Sequence, residues 1–330
     1  MDRFDLVVLG DANPDVILRG APEVLTFGQA EREIAAASLT LGGSGALVAR
    51  AGARLGLRTA FVGLVGDDRA ADFVLDMLTE VGVDVSWVRR DPAYQTAMTV
   101  VFVRPDGDRA ILTFAGSLPE FGPEHLDEQI LTRASHVHAA SAFLQPRLTA
   151  ALPGLFTTAR RAGASVSLDT NDDPSGRWAL DREPLLATVD YLLPNEREAV
   201  TLAFGPSAHD RDPLPAARLL ARLGPTVIVK RGAVGASAVT AGQGPAQVLN
   251  ARLQEPDASV TDLVDTVGAG DAFDAGFVAG LAKGHDLRGA LQLAVAVGTL
   301  STRGVGGAQS QPDAVAAARL ARHVIIEEQE

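Results

Sequence analysis

A chain of 330 residues with 47% hydrophobic content has the material for one large α/β core. A formal net charge of −12 argues against a general nucleic-acid binder, and the absence of cysteine excludes disulfides and thiolate metal sites. The opening M-D-R-F-D is too acidic, and the apolar run behind it too short, for a signal peptide; no apolar run has membrane-spanning length. The expectation is a cytoplasmic protein with no nucleic-acid and no membrane partner.

Residues 6–9 are a short apolar run ending at Gly10, the pattern of a buried parallel strand. The turn Gly10-Asp11-Ala12-Asn13-Pro14-Asp15 offers hydrogen-bonding side chains at a strand's carboxyl end, where α/β proteins bind ligands; a polar Asx-type turn reads the same way. Residues 16–18 and 35–41 look like strands outside the helix–strand alternation. Residues 97–103 and 109–114 join them, flanking the hairpin signal Pro105-Asp106-Gly107. Arg104 and Arg109 there are placed to meet an acidic ligand or to stand in solvent. The glycine pair Gly42-Gly43 precedes a small-residue helix ending at Gly56, then a strand over 59–64. Neither G-x-G-x-x-G after the first strand nor a P-loop is present. A helix over 69–80 and a short strand over 85–88 follow.

The strand 135–139 carries His136 and His138 on one face, with no further metal ligands close in sequence, so these read as core histidines. A helix over 147–162 leads to a strand over 165–168, which ends in the polar cluster Asp169-Thr170-Asn171-Asp172. After a strand at 191–193, Asn195-Glu196-Arg197-Glu198 opens a helix whose acidic first turn suits the dipole. Strands over 226–230 and 236–240 flank a turn with Gly232 and Gly235. Lys230, one of two lysines, stands at a strand's carboxyl end, either reaching an anionic ligand or serving as a surface charge. Helices over 273–282, 287–302 and 313–322 close the chain, with a glycine-rich loop at 304–309 and an acidic tail at 325–330 expected to fray.

The most informative stretch is 265–273, D-T-V-G-A-G-D-A-F, approached by the strand-like Leu263 and Val264. A helix starting here presents unpaired N–H groups and the positive end of its dipole to an anion, and the glycines keep Cβ atoms out of the way. A carboxylate at that spot caps the helix or takes a proton from a nucleophile that attacks a phosphoryl group. The string closely resembles the C-terminal signature of the ribokinase (PfkB) family of sugar and nucleoside kinases.

That resemblance implies Asp271 as catalytic base, with Gly268, Ala269 and Gly270 as the anion hole. It implies Asp15 and Asn13 on substrate hydroxyls, Gly42 and Gly43 against the sugar, and Asp169 and Asn171 lining the site, with Arg177 as the following arginine. It gives Asn195 and Glu198 the family's N-x-x-E motif, which orders the water shell of Mg²⁺. Gly232, with Gly235 and Lys230, then passes the nucleotide, and the 304–309 loop borders adenine and, in some members, a monovalent cation such as K⁺. One departure stands out: Leu47 occupies a position where the family usually has Asn.

The implied fold is a ribokinase-like three-layer α/β/α sandwich with a mostly parallel central sheet. It forms a single catalytic domain over 1–330, with lid strands inserted at about 12–41 and 95–116 and able to pair two copies into a homodimer. The implied function is an ATP-dependent kinase acting on a primary hydroxyl of a small sugar or sugar acid. A nucleoside kinase is the alternative, and so is a sugar- or nucleotide-binding protein without turnover.

Overall fold

A computed structural model describes residues 3–329, apart from 24–26, 30, 107, 209–210, 243, 245 and 255–262. Strand β1 (Phe4–Leu9) shows why the centre is a sheet covered on both faces. Val7 and Leu9 pack into one cluster and Leu6 and Val8 into another, all four fully buried. Such a run cannot face water on either side, which is the condition of an inner parallel strand.

The small sheet comes from β2 (Asn13–Arg19), β3 (Ala36–Gly42), β7 (Met98–Val103) and β8 (Arg109–Phe114), in the order β3-β2-β7-β8. A two-stranded pair joins β5 (Leu64–Val65) to β6 (Arg89–Arg90). The main sheet adds β4 (Thr59–Val62), β9 (Ala134–Ala139), β10 (Ser165–Leu168), β11 (Tyr191–Leu192), β12 (Thr226–Lys230), β13 (Ala236–Thr240), β14 (Gln247–Leu253) and β15 (Val324–Gln329). Its order is β15-β14-β13-β12-β11-β10-β9-β1-β4, parallel from β4 to β12 and antiparallel from β12 to β15. The mostly parallel sheet is as expected.

Helices α1 (Ser44–Arg54) and α2 (Arg69–Thr79) cover the face of Leu6 and Val8, with α7 (Ala269–Ala282), α8 (Leu287–Ser301) and α9 (Ala314–Ala321). Helices α3 (Pro146–Arg161), α4 (Arg182–Leu186), α5 (Glu196–Phe204) and α6 (Pro213–Ala221) cover the other face. Three layers result. No described helix is long and apolar enough to cross a membrane.

Several local expectations are corrected. The strand expected over 59–64 breaks at Gly63, and its second half leaves the main sheet to pair with Arg89–Arg90; residues 85–88 form no strand. The acidic tail is a full edge strand, paired from Val248↔Gln329 to Leu253↔Val324. Backbone pairing is indifferent to side-chain charge, and glutamates on an edge strand deter further pairing. Leu263 and Val264 form no strand; both are exposed, and the amide N–H of Val264 donates to Thr302 O at 2.9 Å. The hairpin between β7 and β8 is present, with Gly107 outside the described residues.

Candidate active site

Helix α7 begins at Ala269, earlier than the apolar pattern indicates, and so takes Asp271 into its first turn. Its cap is Gly268 at φ 71, a left-handed conformation natural to glycine, and a Cβ there would strike the backbone of Gly307. The N–H of Ala269 turns back to Thr266 O at 3.2 Å. Those of Gly268, Gly270 and Asp271 find no acceptor among the described residues, so of the donors expected of an anion hole only Ala269 is engaged by protein. Burial pushes the Asp271 carboxyl up to about 7, aided by the Asp169 carboxylate and opposed by the Lys230 ammonium and a hydrogen bond with Ser44.

Asp15 and Asn13 lie on β2 of the small sheet rather than in the preceding turn. Asn13 Nδ2 donates to Asp15 Oδ1 at 2.7 Å and, at 3.3 Å, to Thr99 Oγ1 on β7. Gly42 is paired two positions along, and a side chain there would overlap the Asp15 carboxylate. Burial raises Asp15 to about 7, with Asn13 opposing and Asp11 adding. Thr40, directly across β3 from Asp15, has a buried hydroxyl with no partner among the described residues. Asp11 itself accepts the amides of Gly45 (2.9 Å) and Ser44 (3.2 Å), fixing the start of α1 below Gly43.

Beneath Asp271 lies a buried ionic cluster. Lys230 Nζ stands 2.6 Å from Asp169 Oδ2 and 3.2 Å from Asp274 Oδ2. Burial works against the ammonium, but Asp169 and Asp274 outweigh it and raise Lys230 further. Asp169 is held low, burial being overcome by Lys230; Asp274 is pushed well up by burial. Lys230, expected at the nucleotide, is thus ion-paired to protein on two sides. Alongside, Asn195 and Glu198 form a reciprocal cap of α5: Glu198 accepts Asn195 N–H (2.8 Å) and Nδ2 (2.7 Å), and Asn195 Oδ1 accepts Glu198 N–H (2.9 Å). Burial, then Asp169, raises Glu198 to about 7. Gly232 and Gly235 occupy the turn after β12, where the space beside Gly232 is open.

Asn171 is brought in, but its amide is engaged by protein: Nδ2 donates to Ser44 Oγ (2.7 Å) and Oδ1 accepts Ser141 N–H (2.9 Å). Leu47 is buried against Gly307 and Ala308 in the core beneath the 304–308 loop. Arg104 and Arg109 are not brought in. Arg104 closes on Asp106 and Asp108 within its own hairpin, and Arg109 is exposed. Arg177 is exposed, with Nε on Ser175 Oγ. His136 and His138 are buried and chained through Ser165 and Ser167, and burial lowers them to about 3 and about 4. Sequence reasoning passed over Ser44, Thr40 and Asp274. Ser44 sat in plain view as the spacer of G-G-S-G, and Asp274 follows Asp271 at the i, i+3 spacing that shares a helix face.

A carboxylate raised by burial thus stands beside unengaged helix-N-terminal amides and the buried polar side chains of Asp15, Asn13 and Thr40. Residues 3–314 match the family described as pfkB family carbohydrate kinase. An ATP-dependent ribose-1-phosphate kinase of Halopiger xanaduensis is 36% identical over 93% of this chain and 95% of the relative. A fructokinase of Klebsiella pneumoniae is 33% identical over 92% and 95%. The solved Arabidopsis thaliana ribokinase complexed with ribose and ATP superposes with a TM-score of 0.82 at 26% identity, over 98% of this chain and 99% of that one. The chain belongs to the PfkB family of carbohydrate kinases, and its fold is ribokinase-like.

Proposed function

We propose that the protein transfers the γ-phosphoryl group of ATP to a primary hydroxyl of a small sugar, with Asp271 as general base. The observation that carries this reading is Asp271 itself: a nearly neutral-poised carboxylate in the first turn of α7, next to the unengaged amides of Gly270 and Asp271. A base works best with a pKa near the working pH. Asp15, Asn13 and the unpartnered Thr40 hydroxyl face one another across β2 and β3 and suit the hydroxyls of a sugar, with Gly42 and Gly43 allowing close approach. As the hydroxyl oxygen attacks phosphorus, its proton passes to Asp271, the bond to the leaving ADP oxygen breaks, and the free amides balance the charge on the phosphoryl oxygens. The single domain's four-stranded sheet serves as a lid that excludes water.

Mg²⁺ suits this donor set only through water and phosphate. Among the described residues no group of three or more His, Asp or Glu is placed to hold a metal, and Mg²⁺ takes few protein carboxylates directly. Asn195 and Glu198 would hold its water shell, and the ion would supply charge neutralisation at the phosphates. Gly232 and Gly235 would border the nucleotide, and assay with and without K⁺ tests the monovalent cation. A homodimer through the small sheet is supported by the exposed Leu39, Ile111, Leu112 and Phe114 and by its open edges.

The test is ATP consumption on ribose, ribose 1-phosphate, fructose, a sugar acid and nucleosides, with wild type and Asp271→Asn. Turnover on a sugar that falls by about 10² or more in Asp271→Asn supports the reading. Turnover confined to nucleosides moves the substrate class, and wild-type turnover in Asp271→Asn removes the base.

A further inference from the structure

The four strands of the small sheet set a row of polar residues directly across from one another: Thr40 on β3, Asp15 on β2, Thr99 on β7 and Thr113 on β8. Residues paired in this way share a face of the sheet, and Asn13, two before Asp15, shares it too. That face is turned to the 304–308 loop, since a Cβ on Gly306 would touch Thr40 and Ile17. Burial falls along the row, from Thr40 and Asp15 through half-buried Thr99 to exposed Thr113. Thr99 is the one polar residue of its strand, M-T-V-V-F-V. Hydrogen bonds run along the row. Asn13 Nδ2 donates to Asp15 Oδ1 at 2.7 Å and to Thr99 Oγ1 at 3.3 Å, and Thr99 Oγ1 stands 3.3 Å from Thr113 Oγ1. The carbonyl of Pro14 lies 3.4 Å from the same Asn13 nitrogen. Two amide protons thus face three protein acceptors, and neither is left for a ligand. The Asn13 side-chain oxygen, by contrast, accepts from no described residue.

We propose that Thr99 is a positioning residue for sugar recognition: it takes the second proton of the Asn13 amide and so holds Asn13 with only its carbonyl oxygen open to the substrate. This rests on the reading that Asn13 and Asp15 meet sugar hydroxyls. It goes beyond that reading, because it brings strand β7 into the site and fixes the polarity of the subsite. The ionised Asp15 carboxylate likewise only accepts. A subsite made of two acceptors takes hydroxyl groups that donate. A carbonyl or a carboxylate at the same place on the substrate would set acceptor against acceptor and leave buried groups unpaired. Without the Thr99 hydroxyl, the Asn13 amide keeps Asp15 as its one short anchor, its plane is free to turn, and a proton is exposed to the ligand.

The experiment is steady-state kinetics of the full chain in both substrates, with its best sugar and that sugar's monodeoxy analogues, for Thr99→Val, Thr99→Ser, Asn13→Ala and the double variant Thr99→Val/Asn13→Ala. Thr99→Val keeps the branched side chain that suits a strand and removes the hydroxyl. It is expected to raise the sugar KM about tenfold, with kcat and the ATP KM within about twofold, and Thr99→Ser to restore the wild-type value. The double variant should match Asn13→Ala, because Thr99 acts through Asn13. The hydroxyl that Asn13 reads is the one whose deoxy penalty disappears in Asn13→Ala; in Thr99→Val that same penalty should shrink and the others persist. An unchanged sugar KM in Thr99→Val, effects independent of Asn13→Ala, or a loss spread evenly over all analogues overturns the proposal. Should Thr99→Val not fold, Thr99→Ala carries the same readouts. Asn13→Ala separates the failures: if it leaves the sugar KM unchanged, the sugar is not held by Asn13 and both readings fall; if it raises the KM while Thr99→Val does not, Thr99 alone falls.

Discussion

The Lys230 ammonium stands 2.6 Å from the Asp169 carboxylate, in a pocket where the lysine side chain is 12% exposed and the aspartate 3%. A pair this dry is stable only as a pair, because each charge alone would carry a desolvation penalty of several kcal/mol. Lys230→Met is therefore expected to destabilise the protein by about 3–5 kcal/mol in urea unfolding, and Lys230→Met/Asp169→Asn to recover part of the loss. The KM for ATP should change little, because the ammonium is committed to protein. A raised ATP KM with unaltered unfolding would return Lys230 to the nucleotide.

Asp15, Glu198 and Asp271 are each raised by burial to about 7. Their folded pKa values lie above the unfolded ones of about 4. The stability they contribute is fully present below pH 4 and is lost as the pH rises through 7. The Tm of the free enzyme should fall between pH 5 and pH 8, measured by calorimetry, and Asp15→Asn should flatten the slope. A Tm that climbs across that window would contradict the burial of these groups.

Gly42 lies where any Cβ would overlap the Asp15 carboxylate. Gly42→Ala must push Asp15 from its place on β2. Losing a hydrogen bond with a charged partner costs about 1.5–3 kcal/mol, so the sugar KM should rise about 10- to 100-fold with the ATP KM unchanged. Steady-state kinetics in both substrates reads this directly.

Arg19 on β2 reaches Asp265 in the loop before α7, Nη2 to Oδ2 at 3.1 Å. Asp265 also accepts the amides of Val267 (3.0 Å) and Gly306 (3.0 Å), so one carboxylate ties the small sheet, the helix approach and the 304–308 loop together. Asp265→Ala loses all three bonds and Arg19→Ala only one. We expect about 1 kcal/mol or less from Arg19→Ala and clearly more from Asp265→Ala in thermal unfolding, with kcat following the same order. Equal effects would mean that the ion pair, and not the loop amides, sets the geometry.

Much of this arrangement was readable before any coordinates. The strands at 165–168, 226–230 and 236–240 fall where apolar runs and glycine punctuation put them, since a strand buried on both faces leaves little choice of residue type. The glycine–aspartate string located α7 and its carboxylate. Edges were harder. β15 is acidic and gained its place from β14, and residues 85–88 look like a strand yet yield the pairing to Arg89–Arg90 because only those backbone groups meet β5.

The residue types proposed for the chemistry, and the layered fold that carries them, were determined by the sequence itself, because period, glycine placement and a helix start are local properties. Which neighbour each polar side chain serves was decided by the tertiary structure. Lys230 and Asp169 are 61 positions apart, and Asn171 and Ser44 are 127 apart. Nothing local distinguishes a lysine that meets a phosphate from one that neutralises an aspartate, or an asparagine facing solvent from one that hydrogen-bonds a serine across the fold. The sheet brings those carboxyl ends together, and the need to satisfy buried donors and acceptors then assigns the partners.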